Sequence, residues 1–122
     1  MTRILLIDDS AAVRGALRAL LTDTFPGALV REAPTAEPAL VAIGREPWDL
    51  VLLDLSLPDR AGVDVLREIR RRDATLPIVV MSLHPEQTYR AAMRASGATD
   101  YVSKASPGPA IAAVVRRALG KL

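Results

Sequence analysis

Val51-Leu52-Leu53-Asp54-Leu55-Ser56-Leu57-Pro58 is the stretch from which the rest of this chain is read. Leu50 to Leu53 run without interruption into a carboxylate, and Pro58 ends any regular strand pairing soon after. So short an unbroken apolar run fits a strand buried on both faces, as in a parallel sheet covered by helices. Reactive groups of such sheets collect just beyond the carboxyl ends of the strands, which is where Asp54 falls.

Three other strand ends carry chemistry in the same way. Arg3 to Ile7 is a second buried-strand pattern and runs into Asp8 and Asp9. Leu76-Pro77-Ile78-Val79-Val80-Met81 ends at Ser82, and the short run Tyr101-Val102-Ser103 ends at Lys104. Leu29 to Ala33 is a weaker fifth strand.

Helical patterns separate them. Ser10 is a suitable N-cap for a helix whose buried face is Val13, Leu17, Leu20 and Leu21, with Arg14 and Arg18 away from it. Thr35 is expected to cap a second helix, with Pro38 in its first turn, Leu40, Val41 and Ile43 inward, and Gly44 and Pro47 ending it. A third carries Val65, Leu66 and Ile69 inward and finishes in Arg70-Arg71-Arg72, read as a solvated helix end that complements the macrodipole. A fourth spans about Glu86 to Ala95 and stops at Gly97, a residue suited to a left-handed C′ position. Ser106 is expected to cap the last helix, whose inward stripe is Ile111, Val114, Val115 and Ala118. Five strand–helix units imply one α/β domain: a single doubly wound, five-stranded parallel sheet with five helices. The strand order cannot be read from spacing.

Composition narrows the function. The 122 residues are half apolar and a quarter charged, enough for one globular domain with its own core. No apolar run approaches a membrane span and no signal-peptide pattern opens the chain, so no membrane role is expected. Without cysteine there are no disulfides or thiolate metal sites, and a cytoplasmic location is the default. A net charge of +2 and four aromatic residues do not suggest a nucleic-acid surface. Of the sixteen basic residues only Lys104 and Lys121 are lysines, and Lys104 alone sits inside a patterned segment.

Parallel strands bring Asp8, Asp9, Asp54, Ser82 and Lys104 to one edge. Two like charges about 5 Å apart at an effective dielectric of about 20 repel by roughly 3 kcal/mol, so three carboxylates there need a counter-charge. Mg²⁺ suits two carboxylates plus a backbone carbonyl, because it prefers an oxygen octahedron that retains waters. Lys104 could hold a phosphoryl oxygen, Ser82 could donate to another, and an Asp beside a metal can accept a phosphoryl group as an acyl phosphate.

Together these motifs resemble the receiver domains of bacterial two-component response regulators. Asp8-Asp9, the Asp54-Leu-Ser-Leu-Pro58 turn with Gly62 after it, Leu76-Pro77 leading to Ser82, Tyr101 and Lys104 stand in that family's order and spacing across the whole chain. Ser82-Leu83-His84, Gly97-Ala98 and Lys104-Ala105-Ser106-Pro107 are most similar to the subgroup carrying a LuxR-type helix-turn-helix output.

The resemblance implies a flavodoxin-like receiver topology over residues 1–122, with no output domain in this chain. It implies that Asp54 accepts a phosphoryl group from a histidine kinase or phosphotransfer protein. Asp9, Asp54 and the backbone carbonyl of Ser56 would bind Mg²⁺, Asp8 acting through water. Lys104 and Ser82 would hold the phosphoryl oxygens, and Ser82 and Tyr101 would form the switch, Tyr101 turning inward as Ser82 moves to the phosphate. The face of the fourth helix, fifth strand and last helix would report the change. Self-phosphorylation and autodephosphorylation would be the only catalysis. Homodimerisation on phosphorylation and control of transcription are implied, with DNA bound only through an absent C-terminal domain.

Two positions depart from the family. Ala105 replaces a proline often preceded by a cis peptide, and cis to alanine costs about 3 kcal/mol, which leaves that geometry open. Leu83 replaces a small residue and is expected to screen the acyl phosphate. A receiver-like interaction module that is never phosphorylated is the alternative. A Mg²⁺-dependent aspartyl phosphohydrolase of the haloacid-dehalogenase type is a weaker one, since Ser56 stands where such enzymes place a second Asp. His84 alone reads as a loop residue, and no P-loop or GxGxxG follows any strand.

Overall fold

Every residue of the strand Leu50–Asp54 is buried, because the sheet it belongs to is covered on both faces. The structure, a computed structural model, describes residues 1–83 and 86–120, with backbone alone for 86–88. Strands and helices alternate strictly: β1 (Arg3–Ile7), α1 (Ala11–Thr24), β2 (Leu29–Ala33), α2 (Ala36–Arg45), β3 (Leu50–Asp54), α3 (Gly62–Arg72), β4 (Ile78–Ser82), α4 (Glu86–Ala95), β5 (Asp100–Ser103) and α5 (Gly108–Ala118). All pairings are parallel and the order is β2-β1-β3-β4-β5, so β3 is the central strand.

The period-2 alternation of strands divides the core in two. Ile4, Leu6, Leu50, Leu52, Val79, Met81 and Val102 face α1 and α5, meeting Leu17, Leu21, Ile111, Val114 and Val115. Leu5, Ile7, Val51, Leu53, Ile78, Val80 and Tyr101 face the other way, against α2, α3 and Met93 of α4. Both sets are apolar, which is why the strands read as unbroken hydrophobic runs.

Helix ends differ from expectation where the capping group comes from elsewhere. Ser10 caps α1 as expected, its Oγ accepting from Val13 N at 3.2 Å. Gly97, at φ +113°, ends α4 with Ala98 N donating to Met93 O and Gly97 N to Arg94 O, a Schellman arrangement. Thr35 sits at the N-cap of α2, but its side chain makes no capping bond. Ser106 does not cap α5 either. Pro107 holds that position and its carbonyl accepts from Ala110 and Ile111. Pro109 in the first turn has no N–H, so that end has one fewer donor to satisfy. Gly44 lies within α2 rather than ending it, and Val41 is 47% exposed, because the buried stripe runs through Ala36, Ala39 and Leu40.

The arginine run is a solvated helix end only at Arg71 and Arg72, which are exposed, while Arg70 is half-buried and bonded. Arg70 Nε donates to Gly97 O at 2.6 Å, its Nη1 to the carbonyls of Asp73 and Leu76, and its Nη2 to Thr99 Oγ1. One guanidinium thus ties the end of α3 to the loops before β4 and β5. A Cβ on Gly97 would lie 2.7 Å from Arg70 Cγ, so the arginine packs directly against that glycine. Arg72 Nη1 donates to Leu40 O on α2, and Arg71 alone of the three makes no such bridge among the described residues. Burial lowers the Arg70 pKa from a value so high that the group stays charged. Across β5, Arg90 and Arg94 from α4 and Arg117 from α5 converge on Asp100, itself 7% exposed. Lysine cannot reproduce a planar fork of donors. Urea unfolding of Arg70→Lys should therefore show a loss of about 1–3 kcal/mol, against about 0.5 kcal/mol or less for the exposed Arg71→Lys.

Candidate functional site

β1, β3, β4 and β5 end at the same edge, and the register aligns Ile7 with Leu53 and Asp54 with Met81. Asp8, Asp54 and Ser82 arrive buried, at 0%, 1% and 2% exposure, while Asp9 faces solvent. The segment after Asp54 doubles back: Ser56 bridges to Ala61, and Gly62 N donates to Leu55 O at 3.1 Å. Gly62 is required there. A Cβ would fall 2.4 Å from Leu55 Cα and 2.9 Å from Leu55 O, closer than side chains approach backbone.

Each buried carboxylate has one oxygen anchored and one left over. Asp8 Oδ1 accepts from Ser10 N at 2.9 Å, and Asp54 Oδ1 from Ser56 N at 3.1 Å. Neither Oδ2 accepts a well-directed hydrogen bond. Both lie beside the Lys104 ammonium, at 2.8 Å from Asp8 Oδ2 and 3.3 Å from Asp54 Oδ2. Carboxylate oxygens of Asp8, Asp9 and Asp54 lie within 4.8 Å of one another.

The electrostatics follow. Burial raises the Asp54 pKa and the charge of Asp8 raises it further, against the Ser56 N–H and Lys104. Burial opposes the Lys104 charge, but contact with Asp8 and the charge of Asp54 outweigh it and raise its pKa. One ammonium among three carboxylates leaves net negative charge, and the donors are all oxygen. Two buried oxygens without directed partners and a third carboxylate nearby form a pocket that could hold a hard divalent cation.

The remaining expected residues fall as follows. The backbone carbonyl of Ser82 accepts from Lys104 N at 2.8 Å, which joins the ends of β4 and β5. No cis peptide occurs among the described residues, the Lys104–Ala105 bond included. Tyr101 is fully buried and its ring stacks on Tyr89 at 6.5 Å between centroids. The aromatic ring expected to turn inward is thus inward here. Leu83 is 76% exposed, most of its side chain standing in solvent. His84 lies outside the described residues.

Two contributors escaped the sequence reading. Arg14 Nη1 donates to Asp8 O at 2.6 Å while its Nε pairs with Glu32, so the helix face set aside as polar supports the acidic turn. The hydrogen bond from Arg18, then that from Arg14, holds the Glu32 carboxyl below its ordinary range. Asp59, in the loop after Asp54, caps α2 from across the molecule. A polar residue one turn into a helix, or directly after a proline, carries no signal of such long-range partners.

Comparison with known proteins agrees with this geometry. The family model for the response regulator receiver domain matches residues 4–116. The response regulator UvrY of Escherichia coli is 33% identical over 115 residues, covering 93% of this chain and 53% of its own length. The transcriptional regulatory protein KdpE of Mycobacterium tuberculosis is 40% identical over 104 residues, covering 85% and 45%. A LuxR-family response regulator structure from Aurantimonas superposes with a TM-score of 0.88 at 30% identity, covering 98% of this chain and 86% of that one. The chain spans about half the length of the curated relatives it matches. Among the described residues no helix is long and apolar enough to cross a membrane. With the fold, the strand-end residues and the family match in accord, the chain belongs to the response regulator receiver domain family of two-component systems.

Proposed function

We propose that Asp54 accepts a phosphoryl group from the phosphohistidine of a histidine kinase or phosphotransfer protein. The observation that carries this reading is the Asp54 Oδ2 atom, buried without a directed hydrogen bond beside the Lys104 ammonium and two other carboxylates. Its lone pair would attack phosphorus as the P–N bond breaks, leaving the histidine with the electron pair and Asp54 as an acyl phosphate. Mg²⁺, held by Asp9, Asp54 and the Ser56 carbonyl with Asp8 acting through water, would screen the acceptor from the incoming phosphoryl oxygens.

The chain's own groups do the rest. Ser56 N–H orients the acceptor carboxylate through Oδ1, which leaves Oδ2 as nucleophile. Lys104 moves its charge from the two carboxylates to a phosphoryl oxygen, and the Ser82 hydroxyl donates to another. Ser82 and Tyr101 form the switch: Ser82 engaging the phosphate would hold Tyr101 in the inward position, stacked on Tyr89, that it already occupies. The change is reported by α4, β5 and α5, where three arginines gather on Asp100. Catalysis is limited to self-phosphorylation and autodephosphorylation. Residues 1–122 act as the receiver unit in the cytoplasm and dimerise on phosphorylation. Control of transcription, through a DNA-binding segment outside this chain, is suggested by a relative named a transcriptional regulatory protein and by relatives about twice as long.

Intact mass after incubation with Mg²⁺ and a phosphorylated histidine kinase should show one phosphoryl addition, absent in Asp54→Asn and absent with EDTA. No addition from several kinases, together with undetectable Mg²⁺ binding, would leave the unphosphorylated interaction module instead. Stability supplies a second check. A raised Asp54 pKa means the folded state holds its proton more tightly than the unfolded chain does. The group's contribution is therefore full below the ordinary value of 3.8 and lost as pH rises through the raised value. In EDTA at pH 7, Asp54→Asn should melt a few degrees above wild type, and the gap should close as the pH falls towards 4, followed by circular dichroism. Mg²⁺ should also narrow the gap at pH 7, because it stabilises only the folded wild-type site.

A further inference from the structure

α2 does not cap itself. Its first N–H groups, Ala36 and Glu37, donate instead to Asp59 Oδ1 at 2.9 Å and Oδ2 at 3.2 Å. Asp59 belongs to the segment between β3 and α3, three residues after Ser56. A carboxylate at a helix N-terminus is favoured by the unpaired N–H groups and by the macrodipole. Those bonds, the one from Ala36 foremost, hold the Asp59 carboxyl below its ordinary range, as expected for a partner that stays ionised.

The segment has no regular secondary structure over residues 57–60. Its first residues are tied to the sheet, Leu55 N donating to Met81 O on β4 and Ser56 N to Asp54 Oδ1, while the Ser56–Ala61 bridge, the Gly62–Leu55 hydrogen bond and the Arg60–Glu68 ion pair join it to α3 or to itself. Asp59 reaches a different helix. It therefore sets the segment's position relative to the β1 and β2 side of the molecule, where Asp8 and Asp9 stand.

We propose that Asp59 is a positioning residue for the metal site: by fastening the segment after Asp54 to the start of α2, it fixes where the Ser56 carbonyl is presented. This rests on the Mg²⁺ reading given above. By linkage the coupling runs both ways, so filling the site tightens the first turn of α2. The α2 end then senses occupancy through two hydrogen bonds, separately from the switch at Ser82 and Tyr101.

The test is Mg²⁺ titration of the purified chain by calorimetry, with no phosphodonor present, beside melting in EDTA. Asp59→Ala should bind Mg²⁺ about tenfold more weakly, and Asp59→Asn, whose single amide oxygen can keep only one of the two N–H bonds, should recover only part of the loss. Thr35→Asp combined with Asp59→Ala gives α2 a cap of its own while leaving the segment untied. That double variant should regain the melting temperature but not the Mg²⁺ affinity, a separation that a purely structural role would not produce. Hydrogen exchange at the Ala36 and Glu37 amides should slow on adding Mg²⁺ to wild type. Unchanged affinity in Asp59→Ala, or affinity that returns with stability in the double variant, overturns the proposal alone. A wild-type protein that binds no Mg²⁺ overturns the metal reading and this proposal with it.

Discussion

The Lys104 ammonium lies between two buried carboxylates, and the edge of the sheet is built around that contact. Desolvating two charges usually consumes what their attraction returns, and a third carboxylate nearby makes the balance worse. The raised Asp54 pKa is the local sign of that cost. A fold can carry such a defect only if the rest of the molecule is firm enough, and the double-sided core of β1, β3 and β4 supplies the firmness. Function is thus concentrated where the structure is least satisfied.

The opposite end shows the reverse condition. Arg70 satisfies four acceptors and joins three segments with a single side chain. Arg72 extends the tie to α2. The loops there hold the sheet together, and the loops at the carboxyl edge are left to chemistry. This polarity, with one end closed by neutral carbonyls and the other left open by surplus charge, follows from sending every strand the same way.

Much of this was legible in the sequence because period and strand ends are local signals. Buried runs gave five strands, and their last residues gave Asp54, Ser82 and Lys104 without any knowledge of strand order. The order itself was not legible, since nothing in Leu29 to Ala33 says that it pairs at the edge beside β1. Caps were misread for a related reason. Thr35 and Ser106 have the right chemistry in the right place, but Asp59 and the Pro107 carbonyl took those roles through contacts that sequence distance hides. Within the arginine run Arg70 was misread, because a charged side chain reads the same whether it meets water or carbonyls. Val41 was misplaced by one step around a helix whose small residues, Ala36 and Ala39, allow close approach to the sheet.

The contact at Gly62 has a mechanical consequence. With α3 starting almost in touch with Leu55 Cα and Asp54 O, the Asp54 backbone is backed by a helix at van der Waals range. It behaves as an anvil: a group arriving at Asp54 cannot push it away. On the proposed function, any displacement would therefore be taken up on the other side, by the ends of β4 and β5. Direction in this device comes from a missing methyl group, which makes one wall of the pit unyielding and leaves the facing wall to give.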